Sequence, residues 1–250
     1  MQKKWQYIDI HTHILPYIDD GASSMEESLE MLELAYQDGI RVLFATPHYG
    51  KWNPEYKKEN AYQQYNLLKK ELALRHPDMR IFMGNEIYYS SRTIDDLQSG
   101  KACALGNTNY VLIEFSEKES YEGLFKGLQN LVYAGYWPIL AHAERYKCLR
   151  KGIYKVQELV ENGSYIQINA RSFLGGFFDR RASWCIRLFE NNLVHFIASD
   201  CHNCNTRTPG MRKAAEKLLS MGDERLVERI VRLNAVNLIL NKCIEGELNR

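Results

Sequence analysis

Short apolar segments alternate with amphipathic segments along almost the whole chain, and this alternation is the strongest restriction on its fold. The apolar segments are typical of β-strands buried on both faces, and the segments between them carry apolar residues at helical spacing. A β–α unit repeated about seven times favours parallel strands wrapped by helices, which is an α/β fold. The strand segments start near Tyr7, Arg41, Arg80, Tyr110, Trp137, Tyr165 and Val194.

The length of the chain suits a single barrel of β–α units. A chain of 250 residues can enclose one large core, and it contains no low-complexity tract, charge block or longer sequence repeat. We therefore expect one domain over residues 1–250. Because we count seven strands rather than eight, a closed eightfold barrel is not predicted.

The charge balance and the cysteine content exclude several classes of protein. The 32 basic and 31 acidic residues nearly cancel, so no overall field favours a nucleic acid or a membrane surface as partner. No apolar run approaches the length needed to cross a bilayer, and the N-terminal segment lacks the apolar core of a signal peptide. Six cysteines in 250 residues are too few for a disulfide framework. We expect a soluble cytoplasmic protein without membrane insertion.

Six of the seven strand segments are followed by side chains that can bind a metal ion. In a barrel of parallel strands all these ends meet at one rim, where the active sites of such barrels form. Each residue alone has an ordinary explanation, such as a solvated carboxylate or a hydrogen-bonded core histidine, but together they predict a metal site. The candidate ligands are His11, His13, Asp20, His48, Glu86, Glu114, His142, Asp200 and His202.

The first strand carries the densest part of this pattern. His11 and His13 are two residues apart, so on a strand their imidazoles point to the same side and can bind one cation. Asp9 has the same phase, and we expect it to orient one of these ligands. The acidic pair Asp19 and Asp20 follows on a loop that contains glycine.

The chemistry of the candidate ligands indicates the kind of ion and the kind of reaction. Nitrogen and oxygen ligands without a thiolate favour Mn²⁺, Fe²⁺ or Zn²⁺. The candidates exceed one coordination sphere, which predicts two or three divalent ions with a bridging carboxylate. Clustered ions of this kind are typical of enzymes that hydrolyse phosphate esters.

Two arginines and two histidines complete the interpretation of the rim. Arg145 and Arg207 follow the fifth and seventh strands closely, and guanidinium groups bind phosphate in a bidentate manner, so we predict that both contact phosphate. His76 lies at a helix end and His195 at the start of a strand, and we interpret both as structural.

Seven short motifs, taken in order, resemble those of the polymerase-and-histidinol-phosphatase (PHP) superfamily. Within it they are most similar to the bacterial metal-dependent tyrosine phosphatases of the CpsB/YwqE type. The resemblance spans roughly residues 8–209 and rests on D-I-H-T-H, D-D-G, T-P-H, G-N-E-I-Y-Y, L-I-E-F-S, A-H-A-E-R-Y and I-A-S-D-C-H. It implies a distorted (β/α)7 barrel, which is TIM-like, and a centre of three ions, usually manganese.

The resemblance also implies which residues bind each ion. The first ion would be bound by His11, His13, Glu86 and Asp200, the second by Glu86, Glu114 and His142, and the third by Asp20, His48 and His202. The phosphoryl group would be held by Arg145 and Arg207, which we count as catalytic residues together with Asp200 and His202.

The activity implied by the resemblance is in-line hydrolysis of phosphotyrosine by water activated at the metal centre. A phenolate has a pKa of about 10, so it leaves without strong help from a general acid. The implied substrate is a phosphotyrosine protein, the tyrosine-rich tail of a bacterial tyrosine kinase that controls capsular and exopolysaccharide synthesis. One departure is that the aromatic segment Tyr49–Trp52 follows His48, where the family suggests a basic stretch.

A second phosphatase motif is present in the chain. Cys201 is followed at the sixth position by Arg207 and then by Thr208, which is the spacing of the cysteine-based tyrosine phosphatases. A phosphate cradle of that type usually needs glycine, and this loop has none. The pair Cys201 and Cys204 also has the spacing of a redox or zinc site. Both interpretations leave the other strand ends unexplained.

Two further functions are compatible with the same rim. A small phosphate monoester could be the substrate, as it is for the histidinol phosphatases of the PHP superfamily. Alternatively the site could be vestigial, and the protein would then be a binding module. The complete set of candidate ligands favours an enzyme.

Overall fold

The computed structural model describes residues 6–176 and 178–244, and within them strands and helices alternate as the sequence predicts. The strands are β1 (Tyr7–Thr12), β2 (Ile40–Ala45), β3 (His48–Tyr49), β4 (Arg80–Met83), β5 (Glu86–Tyr88), β6 (Tyr110–Glu114), β7 (Trp137–Leu140), β8 (Tyr165–Asn169) and β9 (Phe196–Ala198). The helices are α1 (Met25–Asp38), α2 (Lys58–Arg75), α3 (Thr93–Gln98), α4 (Tyr121–Tyr133), α5 (Ile153–Glu161), α6 (Arg180–Glu190), α7 (Met211–Leu219), α8 (Glu224–Glu228) and α9 (Asn234–Ile239).

The nine strands correspond to seven barrel positions, because two positions are each divided in two. All neighbouring strands are parallel, in the orders β1-β2-β4 and β3-β5-β6-β7-β8-β9. Pro47 separates β2 from β3, since proline has no N–H to continue the ladder. Asn85 separates β4 from β5, and its side-chain amide donates to the carbonyl oxygen of Pro47 at 2.9 Å. The two interruptions therefore lie side by side.

The ring of strands closes between β9 and β1. The backbone N–H of Asp200 donates to the carbonyl oxygen of His11 at 2.9 Å, and that of His13 donates to Cys201 at 2.8 Å. Asp9 adds to the closure, because its Oδ1 accepts the N–H of Ser199 at 3.0 Å. The molecule is a distorted seven-position β/α barrel, which confirms the predicted fold class.

Asp9 contacts the ligand His11 through its backbone N–H and not through its imidazole. β1 shifts register against β2 between Asp9 and Thr12, so the simple alternation that put Asp9 in phase with the histidines does not hold. The Asp9 carboxylate accepts backbone N–H groups of His11 and Ser199, and it borders a small cavity under α1 lined partly by Met31. Asp9 therefore joins two strands and does not orient an imidazole.

Two hydrophobic clusters separate the inside of the barrel from its helical coat. The smaller cluster contains alternate residues of several strands, including Tyr110 and Leu112, and so fills the barrel. Ala235 and Leu238 of α9 belong to this cluster. The Tyr110 hydroxyl donates to the carbonyl oxygen of Lys242 at 2.6 Å. The chain after α8 therefore covers the N-terminal ends of the strands and leaves the C-terminal rim open.

Local signals in the sequence account for the helix that follows the first rim loop. Ser24 is the N-cap of α1, and its side chain accepts the N–H of Glu27 at 3.1 Å. Gly39 ends the helix with φ of 95°, a left-handed conformation that glycine adopts at low cost. Within the described ranges, no helix has both the length and the apolar character needed to span a bilayer.

Candidate metal centre

All nine candidate ligands lie together at the C-terminal rim of the barrel. Most of them are buried, and they belong to β1, β3, β5 and β6 or to the segments that follow β1, β7 and β9. Two of them, His142 and Asp200, have positive φ angles of 36° and 54°. Non-glycine residues seldom adopt this conformation, and when they do, they are often at functional sites. The chain thus turns sharply at the ends of β7 and β9, where these two ligands stand.

The first group of ligand atoms surrounds one point between β1, β5 and β9. The Nε2 atoms of His11 and His13 are 3.1 Å apart, and each lies 3.1 Å from Oε2 of Glu86. Oδ1 of Asp200 lies 3.4 Å from the His11 nitrogen and 3.6 Å from the His13 nitrogen. These four residues form a set whose ligand atoms all lie within 4.8 Å of one another.

A second group adjoins the first through Glu86. The other oxygen of this carboxylate, Oε1, lies 2.6 Å from Nε2 of His142. Glu114 approaches both sides of the group, with 3.8 Å from its Oε2 to His142 and 3.3 Å from its Oε1 to Nδ1 of His48. Glu86 thus stands between the two groups with one oxygen directed to each.

A third group lies at the more exposed side of the rim. Oδ1 of Asp20 is 3.5 Å from Nε2 of His48 and 3.5 Å from Nε2 of His202. His13 completes the set, and its ring lies 3.8 Å from that of His202. The side chain of Asp20 is 63% exposed, so this group is the one that is open to solvent.

The spacing of these atoms fits bound divalent ions. Metal–ligand bonds of about 2.0–2.2 Å place neighbouring ligand atoms about 3.0–3.6 Å apart, and most of the separations above fall in this range. Several buried ligand atoms also have no hydrogen-bond partner in the described chain. Burial of an unpaired polar atom costs free energy unless another group satisfies it. These atoms are Nδ1 of His48, Oε1 of Glu114 and Nε2 of His202.

The pKa shifts of the two buried glutamates also fit a bound divalent ion. Burial raises the pKa of Glu86, but the imidazoles of His11 and His142 outweigh it and hold the pKa well below its usual range. Burial, followed by the charge of Glu86, raises the pKa of Glu114 to about 9. Two adjacent carboxylates of such different pKa compete for the same positive neighbours, and a divalent cation between them favours the charged form of both.

Two residues that orient the histidines were not recognised in the sequence. Oδ2 of Asp19 accepts a hydrogen bond from Nδ1 of His13 at 2.7 Å, which leaves Nε2 of His13 free to face the cluster. Oε1 of Gln167 lies 3.3 Å from Nδ1 of His11 and also accepts the N–H of His142 at 2.8 Å. Asp19 could have been suspected from its place beside Asp20, whereas Gln167 lies inside β8 with no local signal.

Both predicted arginines reach the cluster through one carboxylate oxygen. Oδ2 of Asp200 accepts hydrogen bonds from Arg145 at 2.5 Å and from Asn169 at 2.9 Å, and it forms an ion pair with Arg207 at 2.8 Å. The other oxygen of Asp200 faces the histidines. The side chains of the two arginines are 29% and 33% exposed, so both remain accessible beside the ligand cluster.

A comparison with known proteins gives the family. Residues 7–240 match the family model described as capsular polysaccharide synthesis, CpsB/CapC. The chain belongs to the CpsB/CapC family. It is 34% identical over 243 residues to the tyrosine-protein phosphatase CpsB of Streptococcus agalactiae, covering 95% of this chain and 100% of that one.

Two further relatives support the assignment. The tyrosine-protein phosphatase YwqE of Bacillus subtilis is 39% identical over 205 residues, which covers 80% of this chain and 79% of YwqE. Crystal structures are known of YwqE and of CpsB from Streptococcus pneumoniae, which are unique metal-dependent tyrosine phosphatases. One of these crystal structures superposes on this chain with a TM-score of 0.87 at 34% identity, covering 95% of this chain and 96% of that chain.

In this CpsB/CapC member, the cysteine motif is not a phosphate cradle. The N–H groups of Asn205, Thr206 and Arg207 all donate to Oδ1 of Asn203, at 3.0, 2.7 and 3.0 Å, and so cannot turn towards a phosphate. Cys201 is 3% exposed, and burial raises the pKa of its thiol. A buried thiol of raised pKa is a poor nucleophile, which excludes the cysteine-based mechanism at this loop.

The segment that departs from the family pattern forms an aromatic edge beside the centre. Trp52 is 56% exposed and meets Tyr88 edge to face, with ring centroids 5.8 Å apart. Nζ of Lys51 lies 4.9 Å from the Trp52 ring and 5.0 Å from the Tyr88 ring. A single lysine and two aromatic rings therefore stand where a basic stretch was expected.

The two remaining histidines of this CpsB/CapC member lie outside the cluster, as predicted. His76 is the C-cap of α2 and stacks on Tyr36 at 3.9 Å between ring centroids. His195 is buried, and its Nδ1 accepts the N–H of Ile166 at 3.2 Å. Burial, and secondarily the charge of Arg229, lowers the pKa of His195 to about 3.

Proposed function

We propose that this CpsB/CapC member is a metal-dependent tyrosine-protein phosphatase that hydrolyses phosphotyrosine on a protein substrate. The observation that carries the proposal is the meeting of nine candidate nitrogen and oxygen ligands with two guanidinium groups at one rim of the barrel. The names of its relatives support this activity over that of a small-ester phosphatase. The full ligand set speaks against a vestigial binding module.

The proposed ligand sets are those that the family resemblance implies. The first ion would be bound by His11, His13, Glu86 and Asp200, the second by Glu86, Glu114 and His142, and the third by Asp20, His48 and His202. We propose two to three divalent ions, with Mn²⁺ favoured over Fe or Zn because the ligands are mixed imidazole and carboxylate. Such ions polarise phosphoryl oxygens and lower the pKa of water.

The side chains around this centre bind and orient the substrate. Arg145 and Arg207 are accessible beside the cluster, and each guanidinium can donate two hydrogen bonds to phosphoryl oxygens. Asp200 fixes the position of both arginines through its Oδ2. Because a phenolate leaving group has a pKa of about 10, no dedicated acid is required on its side.

The proposed substrate is a phosphorylated tyrosine kinase that controls capsular or exopolysaccharide synthesis. The family description places CpsB/CapC proteins in capsular polysaccharide synthesis, and the relatives are named as tyrosine-protein phosphatases. A kinase of that pathway that carries phosphotyrosine would meet the enzyme in the cytoplasm.

Matched variants test this activity. We expect Glu86→Gln to lower kcat/KM for a phosphotyrosine peptide at least 100-fold and to lower the bound metal measured by elemental analysis, because Glu86 touches two of the three groups. Cys201→Ser is the control, since the buried thiol lies 3.8 Å from the carbonyl oxygen of Asn203 and borders the small cavity under α1, and it should retain most activity. EDTA should inactivate the wild-type enzyme, and Mn²⁺ should restore it.

The same assay separates the alternatives. Histidinol phosphate is offered beside the phosphotyrosine peptide, and the peptide should be turned over with the higher kcat/KM. Preference for histidinol phosphate would contradict the proposed substrate. An inactive Cys201→Ser variant together with full activity in EDTA would contradict the metal-dependent mechanism itself.

A further inference from the structure

A cavity of about 610 Å³ opens directly beside the metal centre and has an unusually basic lining. It shares Asp200 with the centre and reaches from there past the segments that follow β7 and β8. Its volume lies within the range of about 300–1,000 Å³ that is usual for ligand pockets, so it has room for more than one phosphoryl group. Six arginines line it, namely Arg145, Arg150, Arg171, Arg180, Arg181 and Arg207.

The acidic side chains of this cavity do not neutralise all of these arginines. Glu144 turns its Oε1 towards Ser172 and the N–H of Asn169, at 2.7 and 3.3 Å. Asp179 is the N-cap of α6, and its Oδ1 accepts two backbone N–H groups of that helix. Asp200 is occupied by the histidines and by the two arginines of the centre. Each carboxylate therefore has partners of its own.

Three of the six arginines bind partners within the protein through their guanidinium groups. Arg145 and Arg207 pair with Asp200, and Arg150 donates through Nε and Nη2 to the carbonyl oxygen of Glu144 at 3.1 and 2.6 Å. In the described part of the chain, the guanidinium groups of the other three have no ion pair or hydrogen bond. We call these three the arginine triad: Arg171, Arg180 and Arg181.

The barrel places the triad next to the reaction centre on a single rim. Arg171 lies in the short 3-10 turn that directly follows β8, and the other two begin α6. β8 is the neighbour of both β7 and β9, and their ends provide the positions of Arg145 and Asp200. All three triad residues are exposed, so their positive charges face the solvent of the cavity rather than an internal partner.

We propose that the arginine triad is a second anion subsite, which binds a negatively charged group on the substrate chain close to the phosphotyrosine being hydrolysed. The inference rests on the proposed phosphatase activity and deepens it, because it names the class of substrate. The enzyme prefers phosphotyrosine segments that carry a further negative charge, either a second phosphotyrosine or an Asp or Glu side chain. An arginine provides paired donors for each of these anions.

The size of the preference follows from the exposure of the triad. An exposed charge pair typically changes an equilibrium by a factor of roughly two, so three arginines together give a preference of about tenfold for the substrate with the added charge. The effect must weaken with salt, because exposed charges are screened over about 8–10 Å at physiological ionic strength.

The test compares three kinds of phosphotyrosine peptide with the full-length enzyme containing Mn²⁺. One has neutral neighbours, one carries Glu at one of the first four positions on either side, and one carries a second phosphotyrosine there. The measured quantity is the ratio of kcat/KM for a charged peptide to that for the neutral peptide. We expect a ratio of about ten for the wild type and a ratio near one for Arg171→Gln/Arg180→Gln/Arg181→Gln.

A matched control keeps the result specific to the cavity. Arg187 is exposed on the same helix, α6, two turns beyond the triad, and it does not line the cavity. Arg187→Gln should keep the wild-type ratio. Equal ratios in the wild type and the triple variant would overturn the subsite. Preference for the second phosphate over Glu would assign the subsite to phosphotyrosine, and equal preference would assign it to any acidic neighbour.

A binding measurement separates this inference from the proposed activity. Fluorescent peptides in which phosphonomethyl-phenylalanine replaces each phosphotyrosine cannot be hydrolysed, and their dissociation constants are measured by anisotropy. The peptide with the added negative group should bind the wild type about tenfold more tightly than the peptide with neutral neighbours, and the triple variant should lose this difference. If no peptide is hydrolysed, the phosphatase activity fails, while this binding difference still decides the subsite.

Discussion

Asp19 and Gln167 determine which nitrogen of a neighbouring histidine faces the metal centre. A carboxylate can only accept, so the short contact from Asp19 places the proton of His13 on Nδ1. Gln167 is itself held by Asn169, which accepts from its Nε2 at 2.8 Å and donates in turn to Asp200. A chain of hydrogen bonds thus connects His11 with Asp200, two ligands of the first group.

We predict that Asp19→Asn weakens metal binding without removing a ligand. Asp19 accepts hydrogen bonds from His13, from the N–H of His48 at 2.9 Å and from the N–H of Gly21 at 3.0 Å. Asn has one acceptor oxygen, so one of these donors must face an NH₂ group. The dissociation constant for Mn²⁺, measured by calorimetry, should rise about 10- to 100-fold.

The control for this prediction is the same substitution at an exposed position. Asp95 is exposed in α3, and Asp95→Asn should bind Mn²⁺ as the wild type does. Saturating Mn²⁺ should return most of the kcat of Asp19→Asn, since the residue orients a ligand and does not touch the substrate. A wild-type dissociation constant in Asp19→Asn would contradict the orienting role.

At the scale of the elements, the loop between β1 and α1 returns so closely to its own start that one position admits only glycine. A Cβ atom on Gly21 would lie 2.0 Å from the carbonyl oxygen of His13 and 2.6 Å from the His13 Cβ. The N–H of Ala22 donates to the same oxygen at 3.1 Å. This close return is what brings Asp19 and Asp20 to the two sides of the cluster.

We predict that Gly21→Ala destabilises the loop and the third ligand group together. The clash involves backbone atoms, so the chain must move, and overpacking of this kind costs about 1–3 kcal/mol in the free energy of unfolding. Urea denaturation in EDTA measures the loss of stability, and Mn²⁺ titration measures the loss of affinity. Gly176→Ala is the control, because a Cβ there meets no atom of the described residues within 4 Å. An unchanged midpoint in Gly21→Ala would refute the close-approach argument.

The sequence predicted the elements and the common location of the candidate ligands better than it predicted the connections between them. Strand ends are visible in the sequence, because a short apolar segment stops where the chain reaches the rim, and this is why His142 and Asp200 were recognisable. The register shift in β1 depends on pairing with β2, so the direction of Asp9 was not predictable from alternation. The position of Gln167 and the arginine triad likewise depend on how separate segments meet in the barrel.

At the scale of the whole molecule, the proposed ions would hold the strands together at the rim of the barrel. The inner hydrophobic cluster holds them together at its base. The candidate ligands come from every barrel position except the sixth, so each ion would connect strands far apart in sequence. The base is filled by apolar residues and covered by α9. The two ends of the barrel thus differ in what stabilises them, since apolar packing is insensitive to chelation.

Chelation should therefore lower the stability of the rim more than that of the base. With free Mn²⁺ at about 100 times its dissociation constant, one site stabilises the folded chain by about 2.7 kcal/mol, and EDTA should remove at least this amount. For a chain of this size the Tm should fall by roughly 5–10 °C. Hydrogen exchange should quicken at the ends of β1, β5 and β9 and stay slow around Tyr110. Glu86→Gln should show little further loss in EDTA, and a wild-type Tm that is equal in Mn²⁺ and in EDTA would contradict the proposed role of the ions.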